Sequence, residues 1–162
     1  MTNIAASAVR LREVAASDLP IFFEHESDPA ASHMAAFTRE DPGDREAFTA
    51  HWNRILKNDS IIKRTVTVDG HVAGSVMCFE LFGQPAVSYW IGKEYWGRGV
   101  GTQALSQFLE CVTVRPLYAR AARDNVASLR VLEKCGFAIV GYDQGFANAR
   151  GQEIEEVVLQ LS

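Results

Sequence analysis

The centre of the chain reads Tyr89-Trp90-Ile91-Gly92-Lys93-Glu94-Tyr95-Trp96-Gly97-Arg98-Gly99-Val100-Gly101-Thr102. Ala86 to Ile91 is a short apolar and aromatic run that predicts a strand. Val100, Ala104, Leu105, Phe108 and Leu109 share one face of a helix predicted over 100–112. The three alternating glycines therefore join a strand to the first turn of a helix. Lacking Cβ atoms, they let the backbone approach a ligand closely. The first N–H groups of the helix have no internal partners and sit at the positive end of its dipole, so they can hold an anion such as a diphosphate, with Arg98 adding a charge-assisted contact. Taken alone, a glycine triplet more often marks a tight connection needing positive φ than a phosphate site.

Two phosphate-binding patterns fail on context. A P-loop requires Lys before its Ser or Thr, and Gly101 precedes Thr102 here. The dinucleotide pattern G-x-G-x-x-A is formally met by Gly99, Gly101 and Ala104, with Asp124 downstream. That fold, however, runs its strand directly into the first glycine, whereas about six residues intervene here and a hairpin precedes them.

The hairpin is the clearest upstream element. Ile61–Val68 and Val72–Leu81 are two β-rich runs joined by Asp69-Gly70, a pair that tolerates the positive φ of a type I′ turn. Gln84-Pro85 is expected to break the sheet pattern before the next strand. Towards the N-terminus, Val9 and Leu11 predict a strand that can reach Glu13–Val14, and Ser17 caps a short helix with Asp18 and Pro20 in its opening turn. Asp28 to Asp44 reads as mostly loop. Phe48, Trp52, Ile55 and Leu56 then form one stripe of a helix that Asp44 caps and that runs to Asn58.

Downstream, Leu117–Ala122 predicts a strand. Asn125–Cys135 predicts a helix with Val126, Leu129 and Leu132 inward, stopped by Gly136 in the left-handed conformation. Phe137–Tyr142 and Ile154–Leu161 are the last two strands, and the loop 143–152 between them suits a mobile lip. The order describes one α/β or α+β domain over residues 1–162, its sheet a meander followed by crossovers.

Composition agrees with a single globular domain: 162 residues, 48% apolar and 22% charged, with 12 Gly and 5 Pro. A chain of this length builds a core without metals or disulfides. Cys78, Cys111 and Cys135 are odd in number and lack metal-ligand spacing, so they read as small core residues in a reducing compartment. The formal net charge of -4 and the absence of basic runs argue against nucleic acid as a partner. The longest uncharged stretch, Leu81 to Gly92, has 12 residues, too few for a membrane helix. Met1 to Val9 lacks the regions of a signal peptide, which makes the cytoplasm the expected location.

The segment 89–102 resembles the acetyl-CoA-binding motif of the GNAT N-acetyltransferases. Asn125-Val126-Ala127-Ser128-Leu129-Arg130-Val131-Leu132-Glu133-Lys134-Cys135-Gly136-Phe137 is similar to that family's downstream motif, in the form found in its RimJ/RimL-like ribosomal-protein branch. With the element order, the resemblance covers essentially the whole chain. It implies a mostly antiparallel, splayed sheet of about six to seven strands flanked by about four helices. It also implies transfer of acetyl from acetyl-CoA to a primary amine, a protein N-terminus or a small molecule, by direct attack in a ternary complex without a metal.

The cofactor residues so implied are Trp90 and Ile91, whose strand backbone would pair with pantetheine, and Gly97, Arg98, Gly99, Val100, Gly101 and Thr102 around the pyrophosphate. Asn125 and Ser128 match positions at the pantetheine arm or the departing sulfur; read without the motif they are a helix cap and a polar helix residue. A backbone N–H near Ile91 would stabilise the oxyanion. The chain departs from the family at three positions: Trp96 stands where many members have Gln or Arg, Ala86-Val87-Ser88 offers no strand Glu, and Leu132 stands where many relatives carry a proton-donating Tyr. Glu80 is the first substitute base, although a solvent-facing strand residue is the commoner role, with His25 and His33 secondary and Ser128 the nearest proton donor. Trp52 and Phe48 belong to the core or wall the acceptor site. An intact cofactor motif without those acid–base groups would also suit a non-catalytic acyl-CoA-binding module. A dinucleotide oxidoreductase is the least favoured alternative. An open edge at the C-terminal strand would admit a homodimer.

Overall fold

A computed structural model describes residues 8–162. Its seven strands are β1 (Val9–Arg12), β2 (Ile62–Val68), β3 (His71–Leu81), β4 (Gln84–Ile91), β5 (Leu117–Ala122), β6 (Ala138–Ala147) and β7 (Gln152–Leu161). They form one sheet in the order β1-β2-β3-β4-β5-β7-β6. Every neighbouring pair is antiparallel except β4 and β5. The five helices are α1 (Leu19–Ser27), α2 (Pro29–Ala35), α3 (Arg45–Lys57), α4 (Val100–Cys111) and α5 (Val126–Lys134).

The sheet is packed on both faces. Against one lie α4 and α5, where Val100, Leu105, Phe108 and Leu132 meet Val66, Val76, Val87 and Leu159 in the main core. Against the other, α1 and α3 bring Leu19, Phe22, Phe48, Trp52 and Ile55 together, with Val72 and Met77 of β3 packed on them. Phe48 and Trp52 are thus core residues, the Trp52 ring 5.0 Å from that of Phe22. Asp69 and Gly70 take φ of 50° and 84° in the β2–β3 turn, as a type I′ turn requires.

Several expectations are corrected. Gln84 and Pro85 do not interrupt the sheet: they open β4, opposite Leu81 and Glu80, after a tight turn in which Phe82 and Gly83 adopt positive φ. Pro29–Ala35 is helical rather than loop, because Asp28 accepts a hydrogen bond from the Ala31 N–H and Pro29 suits the first helical position. Ser17 caps nothing. It lies in a 3-10 turn, Ala16–Asp18, and the Asp18 side chain instead accepts from the Ala15 N–H. The first strand stops at Arg12. Most of the expected lip at 143–152 is strand, since β6 and β7 pair out to Ala147 and Gln152. The C-terminal strand β7 is internal, between β5 and β6, so the open edges belong to β1 and β6. Cys111 is exposed, unlike buried Cys78.

Candidate functional site

The site originates in one irregularity of the sheet. The parallel strands β4 and β5 pair only at Ala86 and Tyr118. Beyond that point they separate, and a cleft of about 600 Å³ opens where β4 ends. Its walls are Tyr89, Trp90 and Ile91 of β4, the glycine turn, Asp124 and Asn125 after β5, α5, and Ala31, Met34 and Ala35 of α2.

The glycine turn is built for close approach. Gly97 and Gly99 have φ of 74° and 73°, a region that L side chains enter at a cost. A Cβ on Gly97 would meet nothing within 4 Å, so its positive φ rather than crowding favours glycine there. Gly101 faces Val131 of α5, where a Cβ would stand 3.4 Å from Cγ2, in ordinary van der Waals contact. The first main-chain bond of α4 runs from the Gln103 N–H to the Gly99 carbonyl, so the N–H groups of Val100, Gly101 and Thr102 precede the helical ladder. N–H donors without a main-chain partner among the described residues and the positive helix end together suit a diphosphate, and the size of the cleft suits the arm that follows it. Arg98 lies with its guanidinium 5.4 Å from the Tyr95 ring centre. Trp96 is 43% exposed, and its indole Nε1–H donates to the Ile91 carbonyl over 2.9 Å.

Trp90, Ile91, Gly97, Gly99, Val100, Gly101, Thr102, Asn125 and Ser128 all line this one cleft. Asn125 caps α5, its Oδ1 accepting from the Ser128 N–H over 3.3 Å. Ser128 Oγ is 2.7 Å from the hydroxyl of Tyr89, where either oxygen can donate, and the Ser128 carbonyl is a second acceptor for the phenol at 3.2 Å. Burial pushes the Tyr89 phenol up to about 12, with the Ser128 hydrogen bond opposing.

Glu80 lies elsewhere. It is exposed and faces Pro85 across the β3–β4 turn, at the opposite end of β4 from Ile91. His33 is exposed, and its carbonyl rather than its ring is engaged, accepting from Arg150 Nε over 2.7 Å. His25 is 8% exposed and packs over Gly92, where a Cβ would come within 2.6 Å of its Nε2. That nitrogen lies 3.2 Å from Glu94 Oε1, while Nδ1 has no partner among the described residues.

The single carboxylate lining the cleft is Asp124. Both its oxygens accept from Arg150, over 2.9 and 3.0 Å, which holds its ionisation below the usual carboxylate range. Arg150 thereby ties the β6–β7 turn to α2 and to the cleft wall. Nothing in a local pattern marks that residue, because its partners are 26 and 117 positions away. Tyr89 did carry a signal. Strand alternation sets Val87, Tyr89 and Ile91 towards α4 and α5, and Ala86, Ser88 and Trp90 towards the other face. On that second face Ser88 is exposed in the middle of the sheet.

No helix among the described residues is long and apolar enough to cross a membrane. Comparison with curated protein sequences yields no match. Among solved structures, the ribosomal-protein-alanine N-acetyltransferase of Brucella melitensis superposes with a TM-score of 0.78 at 21% identity, over 93% of this chain and 98% of that one. YncA of Salmonella typhimurium, an acetyltransferase-like protein solved with acetyl-CoA, gives 0.77 at 19% identity over 96% and 94%. Spermidine N-acetyltransferase of Vibrio cholerae, solved with CoA and spermine, gives 0.76 at 16% over 94% and 95%. These likenesses establish the fold. The family described as acetyltransferase (GNAT) domain matches residues 8–138, and the chain therefore belongs to the GNAT acetyltransferases, acetyl-CoA-dependent N-acetyltransferases with a seven-stranded, mostly antiparallel sheet.

Proposed function

We propose that acetyl-CoA lies in the cleft between β4 and α5 and that a primary amine reaches it from the face of β4 on which Ser88 is exposed. The observation that carries this reading is the end of β4–β5 pairing at Ala86 and Tyr118, directly before a cleft lined by the glycine turn, whose first helix N–H groups have no main-chain partner among the described residues. In this assignment Gly97, Arg98, Gly99, Val100, Gly101 and Thr102 hold the pyrophosphate, while the backbone of Trp90 and Ile91, with Asn125, holds the pantetheine arm. Bound acetyl-CoA supplies the thioester that the amine attacks. Ser88 and Trp90 border the amine's approach from the opposite face.

A protein α-amino group is the first acceptor to test, on the strength of the RimJ/RimL-like form of residues 125–137. Small amines follow, since relatives of similar fold are named for both kinds. The exposed edge strand β6, with Tyr142 and Phe146 outward, is the surface that a second copy would use. Calorimetric titration with acetyl-CoA, CoA and NADH tests the cofactor assignment, repeated on Gly99→Glu, which sets a side chain and a negative charge in the diphosphate position. Tight CoA binding lost in the variant, with CoA release on adding amines to the parent, is the expected result. Binding that survives Gly99→Glu would remove the site assignment, and CoA binding without turnover of any amine would favour a binding module.

A further inference from the structure

Tyr89 and Ser128 form a side-chain pair with one hydrogen bond too few to satisfy every possibility. The phenol has one hydrogen and two places to send it: Ser128 Oγ at 2.7 Å or the Ser128 carbonyl at 3.2 Å. When the phenol donates to Oγ, the serine hydrogen is released towards the cleft that both residues line. When it donates to the carbonyl, the serine hydrogen is consumed by the phenol oxygen. An acceptor arriving in the cleft selects the first arrangement.

We propose that Tyr89 is a positioning residue that fixes Ser128 as a hydrogen-bond donor to the sulfur leaving CoA. The inference rests on reading the cleft as the acetyl-CoA site. As the amine nitrogen bonds to the acetyl carbon, the carbon–sulfur bond breaks and its electron pair goes to sulfur. The nitrogen's surplus proton goes to solvent, and the thiolate later takes one from solvent. The pair moves no proton of its own: a thiol ionises near 8.5, far below an alcohol, and burial keeps the Tyr89 phenol intact to about 12. Its contribution is a charge-assisted hydrogen bond from Ser128, oriented in advance. Leu132, the α5 side chain buried in the core at 1% exposure, has no group to offer.

The test begins with CoA itself, which needs no acceptor. The thiolate's ultraviolet absorbance is titrated for CoA bound to the full chain and to Tyr89→Phe and Ser128→Ala. The parent should lower the thiol's pKa by about one unit relative to free CoA, and both variants should return it. The other titratable side chains at the cleft, Tyr95, Asp124, Arg130 and Lys134, with Cys135 behind Tyr89, are common to all three proteins, so the difference isolates the pair. With any amine that turns over, each single variant should lower kcat about tenfold with KM for acetyl-CoA within about twofold, and the double variant should be no slower than either. A bound-thiol pKa equal in parent and Tyr89→Phe, or rate losses that multiply in the double variant, would overturn the inference. Failure of the parent to bind CoA would instead remove the cofactor assignment beneath it.

Discussion

The carbonyl oxygen of Trp90 presses so closely on Gly74 that a Cβ there would stand 2.0 Å from it. Gly74 is opposite Ile91 in the β3–β4 register, so the contact draws the end of β4 onto β3 at the level where its bonds to β5 have ceased. The need for glycine at 74 is therefore steric, and it bears on the width of the cleft.

Gly74→Ala places a methyl group against backbone that no side-chain rotation can relieve. The end of β4 must shift, and we expect a stability loss of about 1–3 kcal/mol with CoA affinity reduced at least about tenfold. Urea unfolding and calorimetry measure the two effects. An unchanged affinity would show that the strand can move without narrowing the gap.

Two carboxyls, buried Asp18 and half-buried Glu26, give stability opposite dependences on pH. Asp18 is 2% exposed; burial raises its pKa, but hydrogen bonds from Arg12, the Ala15 N–H and Thr65 outweigh this and bring it to about 2. Its contribution is complete above the unfolded value of 3.8 and is lost as pH falls towards 2. Glu26, on α1, is pushed up to about 7 by burial, against the pull of Arg39 and the Trp52 indole of α3. The folded state holds that proton while the unfolded state releases it near 4.5, so stability declines as pH rises from 4.5 to about 7. The spans correspond to about 2 kcal/mol for Asp18 and about 3 kcal/mol for Glu26. Denaturation midpoints across pH should peak between the two windows. Glu26→Gln should remove the decline above the peak, and Asp18→Asn the fall below it.

The rate of acetyl transfer should follow the ionisation of the amine. Asp124, the cleft's one carboxylate, is kept charged and occupied by Arg150, and Glu80 is at the far end of β4. For an N-terminal peptide kcat/KM is expected to climb about tenfold per pH unit and level near 8, and for a lysine-like amine near 10.4. Profiles for two amines of different pKa decide the point. An inflection near 7 that stays fixed when the amine is changed, and disappears in Glu26→Gln, would bring that carboxyl into the proton path.

What the sequence revealed and what it hid divide by range. The hairpin at Asp69-Gly70, the α4 stripe and the Gly136 stop are decided within a few residues, and they stand as expected. The glycine turn was legible for the same reason: positive φ and uncapped N–H groups are local properties. Pro29–Ala35 was obscured because its helix depends on one Asp28 cap and on packing of Ala31, with little apolar periodicity in Pro-Ala-Ala-Ser-His-Met-Ala. Glu80 reads locally as a strand carboxylate, but strand register decides which end of the sheet it occupies, and register follows from the Phe82-Gly83 turn. The Tyr89–Ser128 bond spans 39 residues and two elements, beyond any local pattern.

Arg150 shows how such long-range contacts can govern the site. Its guanidinium holds both oxygens of Asp124 while its Nε holds the His33 carbonyl, and nearby the Ala149 N–H donates to the Ala36 carbonyl over 3.1 Å. The β6–β7 turn thereby fixes α2 and the segment before α5, two walls of the cleft, though neither is its sequence neighbour. Arg150→Ala removes three hydrogen bonds at the periphery and none in the main core, so the midpoint of unfolding should move little. The walls should loosen, raising KM for acetyl-CoA about three- to tenfold. Arg150→Lys keeps the charge without the planar fork that meets a carboxylate with two parallel bonds, and it should recover only part of the loss. Complete recovery by lysine would reduce the role of Arg150 to its charge, and an unchanged KM in the alanine variant would show that α2 holds its place through Ala31 and Ala36 packing and the Ala149–Ala36 main-chain bond.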